Sequence, residues 1–251
     1  MTSISTGLVD RLAYSRDASI YRIIPQGVIW PKKEQDIVEL LSFAKNKQTS
    51  ITFRTGGTSL SGQSVTDGII ADVSRHWQKS NILNNGKAIQ LQPGVIGSRA
   101  NLMLKSSCMK IGPDPASINS AMIGGIVNNN SSGMACGTEF NSYHTLKSLR
   151  FILANGHIYN SDQTEDRARF LEIESSLASG LSRLKEFINN KLHLVEKIRS
   201  KYRIKNTMGY SLNAFLDFDH PMDIFSHLIV GSEGTLAFLS EVILNTVPDP
   251  P

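Results

Sequence analysis

Arg54-Thr55-Gly56-Gly57-Thr58-Ser59-Leu60-Ser61-Gly62-Gln63 follows directly on a short apolar strand signal, Ile51 to Phe53. Paired glycines permit positive φ and let the backbone approach a ligand closely. Thr58, Ser59 and Ser61 add hydroxyl donors, and successive N–H groups in such a loop form an anion-binding concavity. A pyrophosphate suits that shape. The loop has neither the Lys-Ser/Thr ending of a P-loop nor the G-x-G-x-x-G spacing of a nicotinamide-binding turn. By itself it reads equally well as a tight turn after a strand.

Upstream, Glu34 to Lys47 has helical spacing, with Ile37, Leu40, Leu41 and Ala44 on one face. Downstream, Ile69 to Val73 reads as a strand. A strand, helix, strand, loop, strand order from about 20 to 80 is therefore expected to form a first α/β subdomain. The rest, about 86 to 247, is expected to form a second. Ala88 to Gln92 alternates as a strand, and Ser98 to Cys108 is helical in spacing. Ser148 to Ala154 and His157 to Asn160 flank Asn155-Gly156, a hairpin signal. Residues 166–200 form one long polar amphipathic stretch. Ala237 to Thr246 alternates and ends at Pro248-Asp249-Pro250-Pro251, a domain-joining composition.

Two further segments repeat the small-residue theme. Ala121 to Gly133 reads as a part-buried loop of turn formers around Gly124-Gly125 and Asn128-Asn129-Asn130, whose polar groups need partners. Gly231-Ser232-Glu233-Gly234-Thr235-Leu236 is read between an apolar strand and another strand, as a turn.

Composition narrows the options. The chain has 251 residues, 40% apolar and 19% charged, enough for a substantial core and too few charges for wholesale disorder. No run of about 18 apolar residues would span a bilayer. The net charge of +4 is small. Its densest basic places, Lys32-Lys33 and Lys191 to Lys205, read as solvated faces rather than a nucleic-acid patch. Two cysteines, Cys108 and Cys136, make no disulfide framework, thiolate zinc site or iron–sulfur cluster, and both read as ordinary buried thiols. His76, His144, His157, His193, His220 and His227 show no metal-ligand spacing. No metal is expected, and a reducing compartment fits: cytoplasmic, or peripheral to the inner membrane.

In this order the motifs resemble the FAD-binding domain of the vanillyl-alcohol-oxidase, or PCMH-type, flavoenzymes, and most closely the FAD-linked D-lactate, glycolate and D-2-hydroxyacid dehydrogenases. The series runs from Pro25-Gln26-Gly27-Val28-Ile29-Trp30-Pro31 through the Arg54–Gln63 loop, Gln92-Pro93-Gly94 and Gly112-Pro113-Asp114-Pro115. It continues with Ile123-Gly124-Gly125, Ser132-Gly133, Gly137 and Gly209-Tyr210, and closes at Gly231 to Leu236. The resemblance implies an α+β, PCMH-type fold over 1–251, two α/β subdomains with the cofactor between them. Arg54, Thr55, Gly56, Gly57, Thr58, Ser59 and Leu60 would cradle the pyrophosphate, and Gln63 and Ser64 would border the flavin end. Pro113, Asp114, Ile123, Gly124 and Gly125 would line the cofactor's length. Asn129, Ser132, Gly133 and Gly137 would border the ribityl or isoalloxazine part, with Glu233 nearby. Thr58 stands where some relatives carry a flavin-tethering His, so the resemblance implies non-covalent FAD. Asn128-Asn129 and Cys136-Gly137 depart from the Ala-Thr and Tyr-Gly of many relatives.

The same resemblance implies oxidation of a D-2-hydroxyacid, D-lactate-like, by hydride transfer to flavin N5, with electrons passing to an unnamed acceptor. Relatives carry a substrate-covering cap after the closing Pro-rich strand, and some add iron–sulfur segments. The cap is expected to be missing here, and the catalytic residues stay unassigned. Two rivals stand beside this reading: an FAD-binding module or split-gene subunit needing a separate cap chain, and a flavin-free binder of another pyrophosphate ligand.

Overall fold

A computed structural model describes residues 3–249. Its backbone is organised around two sheets. The first is parallel and three-stranded. Helix α1 (Leu8–Ala13) precedes strand β1 (Gly27–Ile29), helix α2 (Glu34–Lys47) and strands β2 (Ile51–Arg54) and β3 (Ile69–Asp72). The spatial order is β1-β3-β2, with β3 parallel to both neighbours. Buried on both faces, β3 is continuous Ile69-Ile70-Ala71 ending in the buried Asp72, as a central parallel strand requires. Because β2 and β3 run in the same direction, the chain must return the full strand length between them. The Gly-rich loop is the start of that return.

The second sheet is antiparallel. Its strands are β4 (Ser80–Leu83), β5 (Ala88–Leu91), β6 (Met109–Ile111), β7 (Leu146–Ile152), β8 (Ile158–Asn160) and β9 (Phe238–Pro248). The order is β4-β5-β9-β7-β8, and β6 also pairs with β9. Thus β9, with 11 residues, is the spine that joins three other strands. Helices α3 (Gly97–Leu104), α4 (Ile123–Asn128), α5 (Ser142–Thr145), α6 (Thr164–Ile173), α7 (Ser175–Asn189), α8 (Leu192–Tyr202), α9 (Ala214–Asp217) and α10 (Pro221–Ile229) complete this half. Leu91, Leu104, Phe151, Phe170, Ile224 and Leu244 belong to its main core.

A smaller cluster joins the halves: Ile37 of α2, Val73, Trp77, Ile152 of β7 and Phe238 of β9. The Phe238 ring lies 4.6 Å from Phe53 of β2 and 5.2 Å from Trp77, centroid to centroid. Aromatic pairs at such distances add about 0.5–1.5 kcal/mol beyond area burial. Beside them, Arg150 Nε and Nη2 donate to the two Glu34 carboxylate oxygens at 2.7 and 2.8 Å, and the Ser240 hydroxyl donates to Glu34 at 2.8 Å. Burial alone would raise the Glu34 pKa, but the guanidinium and hydroxyl outweigh it and hold it low.

Four local expectations change. The 166–200 stretch is three helices: Glu174 leaves helical geometry to accept from Asn155 and Tyr159, both at 3.0 Å, and to meet His157, and a second break falls at Asn190-Lys191, where Lys191 is extended. The segment before Gly231 is helix α10, not a strand. Pro221 occupies its first turn and the His220 ring caps it by accepting from Met222 N–H. Its polar face is only Asp223 and His227, and the short apolar run around them reads as readily as a buried strand. The presumed loop around Gly124-Gly125 is the short helix α4. Helix α3 ends at Leu104, and Cys108 lies beyond it, left-handed and exposed rather than buried.

Candidate functional site

Between the two sheets lies a cleft of about 670 Å³. One end is the Gly-rich loop at the tip of β2. The other is formed by the C-terminal end of α4, Ser131-Ser132, Lys205 and Glu233.

The loop end is backbone chemistry. No protein acceptor meets the N–H groups of Gly56, Gly57, Thr58, Ser59 and Leu60 among the described residues. Unpaired N–H groups in sequence need water or a ligand. Gly57 has φ +62°, and a Cβ there would come within 2.6 Å of the Arg54 guanidinium. Arg54 itself turns behind the loop and donates to the Tyr14 and Ser64 carbonyls at 3.3 and 3.4 Å. Burial lowers its pKa, while Asp17, Tyr14 and Asp72 oppose that shift.

The cleft floor is set by α4. Glycines cost a helix about 1 kcal/mol each relative to alanine, so two in one short helix need a packing reason. A Cβ on Gly124 would stand 2.7 Å from Pro93 Cβ and 3.1 Å from Thr55 Cγ2. The absent side chain lets α4 touch the base of the Gly-rich loop, and Phe53, Pro93, Ala237 and Phe238 add an apolar wall.

The far end is side-chain chemistry. Asn129 Nδ2 donates to Glu233 Oε1 at 2.5 Å, and the Ser131 hydroxyl donates to Asn129 Oδ1 at 2.8 Å. Burial raises the Glu233 pKa, and the Asn129 bond only partly offsets it. Lys205 Nζ reaches the Ser132 and Gly133 carbonyls at 3.1 and 3.2 Å. The buried Ser132 hydroxyl has no partner in the described chain. Lys205 and Glu233 are the charged side chains among those lining the cleft; none of the lining residues is His or Cys.

Of the residues expected from sequence, Thr55, Gly57, Thr58, Ser59, Leu60, Gln63, Ser64, Gly124, Gly125, Asn129, Ser132 and Glu233 line this cleft. Arg54, Gly56, Pro113, Asp114, Ile123, Gly133 and Gly137 stand outside its lining. Ile123 is in the core. Asp114 acts as a staple: its carboxylate accepts from Gly133, Ala135 and Cys136 N–H at 2.9, 2.9 and 3.1 Å. Burial would raise its pKa, and those N–H groups hold it low. Pro93, from the Gln92-Pro93-Gly94 motif, also lines the cleft, as do Ala18, Lys205 and Thr207, none of which was expected there. Lys205 lies in a stretch that reads as one more solvated basic run, and only the fold turns it toward the cleft.

A family profile described as an FAD binding domain matches residues 25–162. The D-2-hydroxyglutarate dehydrogenase of Haemophilus influenzae is 30% identical over 252 residues, covering 96% of this chain and 24% of its own length. The glycolate oxidase subunit GlcD of Bacillus subtilis is 27% identical, covering 96% of this chain and 41% of its own length. The chain therefore spans about a quarter of the D-2-hydroxyglutarate dehydrogenase it matches. Among solved structures, an alkyldihydroxyacetonephosphate synthase superposes with TM-score 0.63 at 15% identity, over 98% of this chain and 38% of its own. A glucooligosaccharide oxidase from Acremonium strictum gives 0.61 at 15%, over 98% and 40%. These two carry the fold alone. No helix among the described residues is long and apolar enough to cross a membrane.

Proposed function

The chain belongs to the FAD-binding domain family, and from that premise we propose that it is the flavin-holding part of a dehydrogenase that oxidises a D-2-hydroxyacid. FAD is its cofactor. The observation that carries the proposal is the complementarity of the two cleft ends. Five free N–H groups suit a pyrophosphate, and an orphaned buried hydroxyl beside amide and carboxyl groups suits the polar edge of a flavin. The residues present therefore fit the cofactor. Gly57 to Leu60 would hold its phosphates, Gly124 and Gly125 would let its length lie against the backbone, and Asn129, Ser132 and Glu233 would face its far end. Bound FAD supplies the two-electron acceptor for the hydroxyacid. Attachment is proposed as non-covalent, since Thr58 occupies the loop and the cleft lining offers no imidazole or thiol.

The substrate class rests on the similarity to the D-2-hydroxyglutarate dehydrogenase and the glycolate oxidase subunit. A second reading has its own support. The lining contains no histidine to take the hydroxyl proton, and relatives extend far past the matched region. On that reading the chain is a catalytically incomplete module that works with a separate cap. Anaerobic addition of D-lactate or D-2-hydroxyglutarate to the FAD-loaded chain separates the two. Bleaching of the flavin band within seconds supports a self-sufficient dehydrogenase; a band unchanged for hours supports the module. Colour retained in a washed acid precipitate would contradict non-covalent attachment.

A further inference from the structure

We propose that Asp17, in the segment preceding the region matched by the family profile, is a positioning residue that presets the Gly-rich loop for the pyrophosphate. This inference rests on the reading of that loop as the phosphate cradle.

The loop has an unfavourable task. Five consecutive N–H groups stay without a protein partner before any ligand arrives. A free loop of this composition would fold its own hydroxyls onto those donors or scatter them. Something outside the loop must hold its two ends. In this chain the N-terminal segment does so. Asp17 Oδ2 accepts from the Ser64 hydroxyl at 2.9 Å and from Ser64 N–H at 3.4 Å, just past the loop's far end. Asp17 Oδ1 accepts from Ser19 N–H at 2.8 Å, which fixes the carboxylate's own rotamer. Between these, Ala18 N–H donates to the Gly57 carbonyl at 3.0 Å, inside the loop. One turn of chain thus grips Gly57 and Ser64 together.

The grip uses acceptors and carbonyls while leaving the phosphate-facing N–H groups free. Holding the Gly57 carbonyl from behind keeps that peptide plane from flipping. Ser64 is buried and its carbonyl also receives the Arg54 guanidinium, so the Asp17 bond closes a ring around the loop's base. Tyr14 anchors the same segment from the other side, its hydroxyl bonded to the buried Asp72 and receiving the Trp30 Nε1–H at 3.0 Å. Ala18, between the clamp's bonds, is itself part of the cleft wall.

The negative charge of Asp17 works against a bound phosphate by simple Coulomb repulsion. Positioning and charge therefore predict opposite outcomes when the charge is removed with the shape kept. Asp17→Asn loses at least one of the carboxylate's bonds and also the repulsion. Asp17→Ala loses all of them.

The test is an FAD titration of the whole chain and both variants by quenching of flavin fluorescence. Thermal midpoints of the ligand-free proteins and hydrogen exchange at the Ala18 and Val65 amides are measured alongside. Wild-type binding comes first: failure there would remove the phosphate-cradle reading itself. Given wild-type binding, FAD affinity is expected to fall about tenfold in Asp17→Ala and about threefold in Asp17→Asn. Exchange at the Ala18 and Val65 amides, which bond the Gly57 and Gly62 carbonyls, should quicken in the ligand-free variants, with exchange in β5, β7 and β9 unchanged. Unchanged or tighter affinity in Asp17→Asn would overturn the proposal. So would a general rise in exchange across the core, which would make Asp17 an ordinary stabilising residue. If Asp17→Ala does not fold, Asp17→Asn carries the test with the same outcomes.

Discussion

The two ends of the cleft bind by different means. The loop end presents backbone N–H groups, clamped from behind by Arg54, Asp17 and Ala18, with no charged side chain of its own lining the cleft. The far end presents side chains: Glu233 bonded to Asn129, Lys205 reaching across to two carbonyls, and a Ser132 hydroxyl with nothing to bond. A backbone cradle depends on conformation and tolerates little change in φ, whereas a side-chain end can be retuned residue by residue. The first is suited to an invariant feature such as pyrophosphate. The second is suited to the part of a cofactor where redox behaviour is adjusted.

Substitutions can break this contrast, beginning with the wall both ends share. Phe238→Ala should cost about 3–5 kcal/mol of stability, as for a buried aromatic removed from a core. It empties the contact among Phe53, Trp77 and β9, and should abolish FAD retention at both ends. Denaturant unfolding with a flavin spectrum checks it. Gly57→Val should act at one end only. A β-branched residue at φ +62° facing Arg54 should lower FAD affinity about 30-fold or more, the equivalent of about 2 kcal/mol. Isothermal titration reads that loss, and thermal stability should fall less.

The far end should answer with opposite signs. Ser132→Ala removes a buried hydroxyl that lacks a partner, so the ligand-free protein should hold its stability or gain up to about 1 kcal/mol. FAD affinity should fall about fivefold. Parallel thermal melts with and without FAD would show both. Loss of ligand-free stability would mean that the hydroxyl is satisfied within the protein.

The smallest effect concerns the tie between halves. Glu34 has its pKa lowered in the fold, so its contribution is present above the unfolded carboxylate pKa and lost as pH falls through the folded one. Glu34→Gln should cost up to about 1 kcal/mol at pH 7, because the pair is partly exposed and screened. The difference between variant and wild type should vanish in acid, below the folded pKa. Denaturant melts at pH 7 and through an acid series test this, and a difference that persists once Glu34 is protonated would remove the ion pair as its cause.

These contrasts also show what a linear sequence discloses. The Gly-rich loop, helix α2, the Asn155-Gly156 hairpin and the alternating β9 are legible because each depends on local spacing or turn chemistry. Helix α4 is not, since Gly124, Gly125 and Asn128 are poor helix formers and only contact with Pro93 and Thr55 selects that shape. Helix α10 hides because it is short and mostly apolar, so its nine residues read equally well as a buried strand. Motif order points to the cleft but not to side-chain direction. Arg54 and Asp114 sit in the motifs yet turn behind the lining to brace loops, while Lys205 enters from a basic stretch that looks like solvent-facing surface. Asp17 falls outside every motif, and its partner Ser64 lies 47 positions away.

The most direct measurement is an absorbance spectrum from 300 to 550 nm on the whole chain after FAD is added and excess removed by gel filtration. Assignment of the cleft to FAD predicts flavin bands at about one FAD per chain that survive filtration and leave as free FAD on heating. A protein folded by circular dichroism that retains no flavin, at any FAD concentration up to the millimolar range, would contradict it.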